Sequence, residues 1–153
     1  MNKSRYVTRP IDKIDLAIVA ALSENGRMKI CQLAEQIGMS SPSVSERMLK
    51  LEDAGAILGY TAIIDPKVFG LNTAAHLRIR PLPGQLKRVE QMLKDTPQLV
   101  GANRVTGEDC FEGEIMVRDE QELQAVVDQL ELVAVTDAAI ILSSTVPRRL
   151  PRL

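Results

Sequence analysis

Residues 38–55 read GMSSPSVSERMLKLEDAG, and the fold follows from how that stretch is punctuated. Serine is a favoured helix cap. Proline suits the first helical position, where its missing N–H leaves nothing unsatisfied. Ser41-Pro42 therefore marks a helix start. Val44, Met48 and Leu51 repeat as one apolar stripe, and Gly55 ends the run. The polar side carries Ser43, Arg47 and Lys50 at i, i+4 and i+7, with Ser40, Ser41 and Ser43 crowding the N-terminal end.

Upstream, Asp12 precedes a helical face of Ile14, Ala17, Ile18, Ala21 and Leu22. Asp12 caps the first turn and Asp15 sits favourably beside the positive helix end. Asn25-Gly26 stops this helix. A second face, Ile30, Leu33, Ala34 and Ile37, is closed by Gly38. Cys31 on this helix reads as a small buried hydrophobe. Only Gly38-Met39-Ser40 separates the second and third helices, and so tight a turn is a helix-turn-helix signal. A purely structural helical hairpin is the plainer reading. The polar side of the third helix favours duplex DNA, because a recognition helix offers its N-terminal residues to base edges. The candidate contacts are Ser40, Ser41, Ser43, Ser45, Glu46, Arg47 and Lys50. Serine bonds bases or phosphate, helped by helix N-terminal amides. Arg47 suits bidentate reading of guanine, and Lys50 suits phosphate as a point charge. Glu46 accepts from a cytosine amino group. Beyond Gly55, two β-prone stretches meet at Gly59. They predict a hairpin wing and then a strand leading away, broken by Asp65-Pro66.

The second half alternates. Thr73, Ala75, Leu77 and Ile79 interleave with Ala74, His76, Arg78 and Arg80, as in a half-buried strand. His76 falls on the polar side. A helix with Leu86, Val89 and Leu93 follows, then a strand over Leu99 to Val105 and a turn over Thr106 to Cys110. A third strand interleaves Gly113, Ile115 and Val117 with Glu112, Glu114, Met116 and Arg118. Asp119 caps a helix with Leu123, Val126, Val127 and Leu130 on one face, and Ala138 to Ser143 reads as the last strand. Strand-helix-strand-strand-helix-strand is the ferredoxin-like order. Two helices cover one sheet face, and the bare face predicts an apolar patch hidden in a dimer. Pro147 and Pro151 mark an irregular tail.

Composition narrows the function. Among 153 residues there are two cysteines and one histidine, too few for a disulfide framework or a histidine-rich metal site. No metal and no cofactor are expected. Aromatic residues make up 3%, with no Trp, which argues against binding single strands by stacking. No apolar run reaches the ~18–20 residues of a membrane span, and no apolar segment follows Lys3, Arg5 and Arg9 as in a secretory signal. A cytoplasmic protein without membrane partners is expected. Residues 1–60 hold eight Lys+Arg against seven Asp+Glu, and residues 61–147 hold eight against thirteen. Arg148, Arg149 and Arg152 follow. The basic excess lies at the two ends, where Arg5 and Arg9 suit neighbouring phosphates. No P-loop, dinucleotide-binding glycine pattern or Ser-His-Asp set is present, so no catalytic residues are expected.

The stretch from Ile11 to Gly70, together with VTGEDCFEGEIMVRD at 105–119, resembles the leucine-responsive/asparagine regulator (Lrp/AsnC) family of transcription factors. The Ser-Pro-Ser helix start, the Arg47, Leu51-Glu52, Gly55 spacing and Gly59-Tyr60-Thr61-Ala62 carry the likeness. It implies an α+β protein: a winged helix-turn-helix over 1–60, a linker strand and hinge over 61–70, a ferredoxin-like ligand-sensing and dimerisation domain over 71–145, and a tail over 146–153. It also implies binding to promoter DNA, homodimers that often assemble into octamers, and an amino-acid effector held near the Thr-Gly turn and the last strand. The corresponding residues here are Thr106, Gly107, Glu108, Asp109 and Cys110, with Thr136 and Asp137 from a neighbouring subunit. A turn of backbone N–H groups suits a carboxylate, and acidic side chains suit an ammonium. Cys110 stands where the family has aspartate, Ala138 replaces a polar residue, and Leu130 to Val135 lacks the family's Pro-Gly. Two other readings remain open: a sirohaem-type tetrapyrrole decarboxylase on the same architecture, and a sensor or adaptor that does not touch DNA.

Overall fold

The computed structural model describes residues 10–146, 149 and 151. Lys3, Arg5, Arg9, Pro147, Arg148 and Arg152, invoked above, lie outside them. Two compact units divide between Ile63 and Ile64.

The first unit is three helices, α1 (Lys13–Glu24), α2 (Ile30–Ile37) and α3 (Ser41–Asp53). Asp12 caps α1: its Oδ1 accepts the Ile14 and Asp15 N–H groups, each at 2.9 Å, while Asp15 Oδ2 accepts the Asp12 N–H at 3.1 Å. This reciprocal arrangement satisfies several amide groups that a helix start leaves without partners. Ile18, Ala21, Leu33, Ala34, Val44 and Leu51 form the core. Ala17, assigned to that face by spacing, is exposed, and Asp15 is buried instead. Gly38 ends α2 at φ 74°, where the Met39 N–H reaches Ala34 O at 2.9 Å. The cap of α3 is Ser40 rather than Ser41, one residue earlier than the Ser-Pro reading, because Ser40 Oγ receives the Ser43 N–H at 3.4 Å. Cys31 is exposed, contrary to its expected burial, since it follows Ile30 on the outer side of α2.

The expected wing hairpin and linker strand are not formed among the described residues. After Gly55 (φ 72°), Ala56 and Ile57 donate back to Leu51 O, and residues 58–65 have no strand pairing. Leu58 is 92% and Ile63 97% exposed. The short arms around Gly59 carry too little apolar contact to offset hairpin closure, and isolated two-stranded hairpins are marginal. Tyr60 instead anchors the segment. Its hydroxyl donates to Glu52 Oε1 at 2.8 Å.

The second unit is an antiparallel sheet in the order β2-β3-β1-β4. Its elements are β1 (Thr73–Pro81), α4 (Leu86–Asp95), β2 (Leu99–Arg104), β3 (Phe111–Val117), α5 (Glu120–Glu131) and β4 (Ala134–Ile140). Ala75, Leu77 and Ile79 of β1 and Phe111, Ile115 and Val117 of β3 share one core with Val89 and Leu93 of α4 and Leu123, Val127 and Leu130 of α5. Gly113 suits the close approach at the β2 bulge, because a Cβ there would lie 3.1 Å from Gly101 O, tighter than an ordinary contact. The last strand starts at Ala134, four residues before the Ala138 start read from the sequence. Only the two-residue turn Leu132-Val133 separates α5 from the strand, and Val133 and Ala134 are already buried. The bare face also differs from expectation. Strand alternation sends His76, Arg78 and Arg80 of β1, Glu112 and Glu114 of β3, and Asp137 of β4 to it. It is mixed rather than wholly apolar, since Ala74, Met116, Val135 and Ala139 share it with these charged residues.

Candidate nucleic-acid interface and effector turn

On α3 the outward stripe is Pro42, Glu46, Leu49, Lys50 and Asp53, all exposed. This stripe is turned by about one residue, ~100°, from the Ser43-Arg47-Lys50 face. Val44 and Leu51 are buried and Met48 packs against the same core, so Arg47 lies on the flank facing α1. Its Nη1 donates to Asp12 Oδ2 at 2.8 Å and to Asp15 Oδ1 at 2.7 Å. The Arg47 side chain is 20% exposed and that of Asp15 6%. Bonds to Asp12 and then Asp15 hold the guanidinium even further from losing its proton than usual. Arg47 is therefore engaged inside its own unit rather than extended for guanine.

The other candidates lie around the helix start or on the outward stripe. Ser40 Oγ and Ser43 Oγ share a proton donor–acceptor contact of 2.8 Å. Ser41, Ser43 and Ser45 are half-buried, and Ser40, Glu46 and Lys50 are exposed. Lys50 Nζ donates to Glu46 Oε1 at 2.6 Å, and this bond holds the Glu46 carboxyl below its usual range. Leu49, missed by the sequence reading, is 60% exposed. An apolar residue off the helix stripe was the available signal. At the far end of α3, partial desolvation of the half-exposed Tyr60 ring and the bond to Glu52 push its phenol up to about 12. Its stabilising contribution is thus complete below the unfolded value of ~10 and is lost as pH rises toward the folded one. In an ultraviolet difference titration of the Tyr6→Phe variant, Tyr60 should ionise well above pH ~10, and Glu52→Gln should advance it. Ionisation of Tyr60 near pH ~10 would contradict this.

In the second unit the Thr106–Cys110 turn is closed by the Val105 N–H donating to Cys110 O at 2.8 Å. Cys110 lies at φ 61°, and the Phe111 N–H reaches back to Asp109 O at 2.7 Å. That three-residue reversal is strained for a side chain larger than glycine. Gly107 takes φ 110°. Glu108 Oε2 and Asp109 Oδ1 lie 3.4 and 3.9 Å from the Arg80 guanidinium. Arg78 donates to Asp137 on the bare face. Thr136 faces the opposite, helix-covered side, paired with Ile79, and its hydroxyl oxygen is buried without a hydrogen-bond partner. Within one chain, then, Glu108 and Asp109 meet through Arg80, whereas Thr136 and Asp137 point to opposite faces.

A model of the AsnC-type helix-turn-helix domain matches residues 11–52, and one of the Lrp/AsnC ligand binding domain matches residues 74–151. An HTH-type transcriptional regulator of Mycobacterium tuberculosis is 26% identical over 148 residues, or 92% of this chain and 98% of the relative. The structure of LrpC from Bacillus subtilis aligns with a TM-score of 0.85 at 25% identity, covering 92% of this chain and all of that one. A feast or famine regulatory protein from M. tuberculosis, solved complexed with L-methionine, aligns with a TM-score of 0.85 at 27% identity, covering 93% and 99%. No helix among the described residues is long and apolar enough to cross a membrane.

Proposed function

The chain belongs to the Lrp/AsnC family, and from that premise we propose that it is a sequence-specific, double-stranded-DNA-binding transcriptional regulator modulated by a small molecule. One observation carries the DNA reading: a tight turn at Gly38-Met39-Ser40 delivers α3 with its outward stripe free of its own core. We read it as a cytoplasmic, non-catalytic protein acting as a homodimer, with octamers as the larger assembly. The major groove is read by Pro42, Glu46 and Leu49, flanked by Ser41 and Ser45. Glu46 accepts from cytosine, and Leu49 lies against a thymine methyl. Lys50 serves phosphate. The domain division is the one read above, with DNA recognition before the hinge and sensing after it.

An amino acid is the effector class that the methionine complex of a relative supports. The Thr106–Cys110 turn is the site we assign, with Glu108 and Asp109 toward the ammonium and turn amides toward the carboxylate. The one-chain geometry argues against Thr136 and Asp137 acting there as a pair.

The test is retardation of a promoter fragment by the purified protein, across salt concentrations and with and without amino acids. Wild type should bind with steep salt dependence. Lys50→Ala should weaken binding to all sequences and flatten the log–log salt slope by about 1. Leu49→Ala should instead relax preference at a thymine position. Absence of retardation at low salt would reject the regulator reading, and indifference to every amino acid would reject the effector class.

A further inference from the structure

Asp15 is the one charged residue buried among those described, at 4% exposure. Its two oxygens face different partners: Oδ2 closes the α1 cap through the Asp12 N–H, and Oδ1 receives Arg47. Asp12 divides its oxygens in the same way between the α1 cap and Arg47. One guanidinium from the middle of α3 is thus tied to both carboxylates that begin α1. The bonds link residues 35 and 32 positions apart in the chain. The attachment fixes how α3 is rotated about its own axis. With Arg47 turned toward α1, the residue before it and those two and three after it, Glu46, Leu49 and Lys50, face outward.

We propose that Arg47 is a positioning residue of the DNA interface: held by Asp12 and Asp15, it sets the rotation of α3 and touches no base. The assignment rests on the DNA-binding reading above. Reaching a guanine would require the side chain to give up two charge-assisted bonds and swing from the flank facing α1 to the outward stripe. Both bonds leave one nitrogen, Nη1, so a lysine ammonium can still supply the charge there, without the fixed plane of the guanidinium.

The experiment measures affinity for a selected operator and for a panel carrying each single base-pair change, using wild type, Arg47→Ala, Arg47→Lys, Asp15→Asn and the Arg47→Ala/Asp15→Asn double variant. Arg47→Ala should lower operator affinity by about 10²-fold, the scale of a small misplacement of an interacting group. The loss should spread over all base positions and leave the salt slope unchanged. The double variant should be no worse than the weaker-binding of the two single variants, because both break one junction while Asp15→Asn also loosens the α1 cap. Arg47→Lys should remain folded and keep the wild-type base preferences at reduced affinity. It therefore decides the matter if the alanine variant is unfolded. Loss of preference at a single G·C pair in Arg47→Lys, or additive losses in the double variant, would overturn the proposal and make Arg47 a reader. Failure of the wild type to bind any duplex would instead mark failure of the DNA reading itself.

Discussion

Leu33→Ala is expected to abolish operator binding while leaving the second unit folded. Leu33 is fully buried at the centre of the helical unit, against Ile18, Ala21, Ala34, Val44 and Leu51. Truncating such a leucine costs about 2–5 kcal/mol, from lost transfer energy and the cavity left behind. A core of six side chains in a unit this small supplies about 3–5 kcal/mol in all. The substitution therefore removes most or all of the unit's stability. The sheet core, built on Leu77, Ile79, Ile115 and Val117, shares no residue with it. Calorimetry should show the helical transition lost and the sheet transition in place. Leu49→Ala is the control: its side chain is mostly solvated, so the change should stay within ~0.5 kcal/mol. A joint shift of both transitions in Leu33→Ala would mean that the two cores melt as one.

The residues that were legible in the sequence are those whose environment is set locally. α2 and α3 announce themselves through 3.6-residue apolar spacing and through Gly38, Ser40-Ser41-Pro42 and Gly55. β1 and β3 do so through strict alternation over Thr73–Pro81 and Phe111–Val117. What was not legible depends on partners distant in the chain. The Asp15–Arg47 bond spans 32 residues. A stripe of Val44, Met48 and Leu51 leaves two polar flanks, and only packing against α1 decides which flank is outward. Asp12 and Asp15 read locally as the two halves of one helix cap, and that role hid their second partner, Arg47. The start of β4 was obscured because Val133-Ala134-Val135 continues the apolar character of α5, and neither glycine nor proline separates them. Charge on the bare sheet face was visible in the alternating Arg and Glu residues. The expectation of an apolar patch came from topology and overlooked them.

That charged face leads to the other large effect. Its β1 row is basic, with Arg78 and Arg80, and the adjacent β3 row is acidic, with Glu112 and Glu114. A two-fold axis lying in the plane of the contact, parallel to the strands and between the two rows, sets the basic row of one copy over the acidic row of the other, as an isologous interface demands. This complementarity supports placing the proposed dimer contact there. In the monomer the exposed Arg78–Asp137 pair contributes little. Under a second copy it is desolvated, and breaking it costs about 2–5 kcal/mol because a buried charge is left unpaired. Arg78→Glu sets a third carboxylate beside Asp137 and Glu112, and two-fold symmetry doubles the damage. Sedimentation equilibrium should therefore show the dimer dissociation constant raised by at least about 10²-fold, equal to roughly 2.8 kcal/mol. Monomer stability should be nearly unchanged. Operator binding should fail at concentrations where the variant is monomeric, since two recognition helices must meet half-sites ~34 Å apart. The reciprocal variant Arg78→Glu/Asp137→Arg restores the pair with its polarity reversed and should recover much of the association. An Arg78→Glu variant that sediments as wild type does would place the dimer contact on some other surface of the chain.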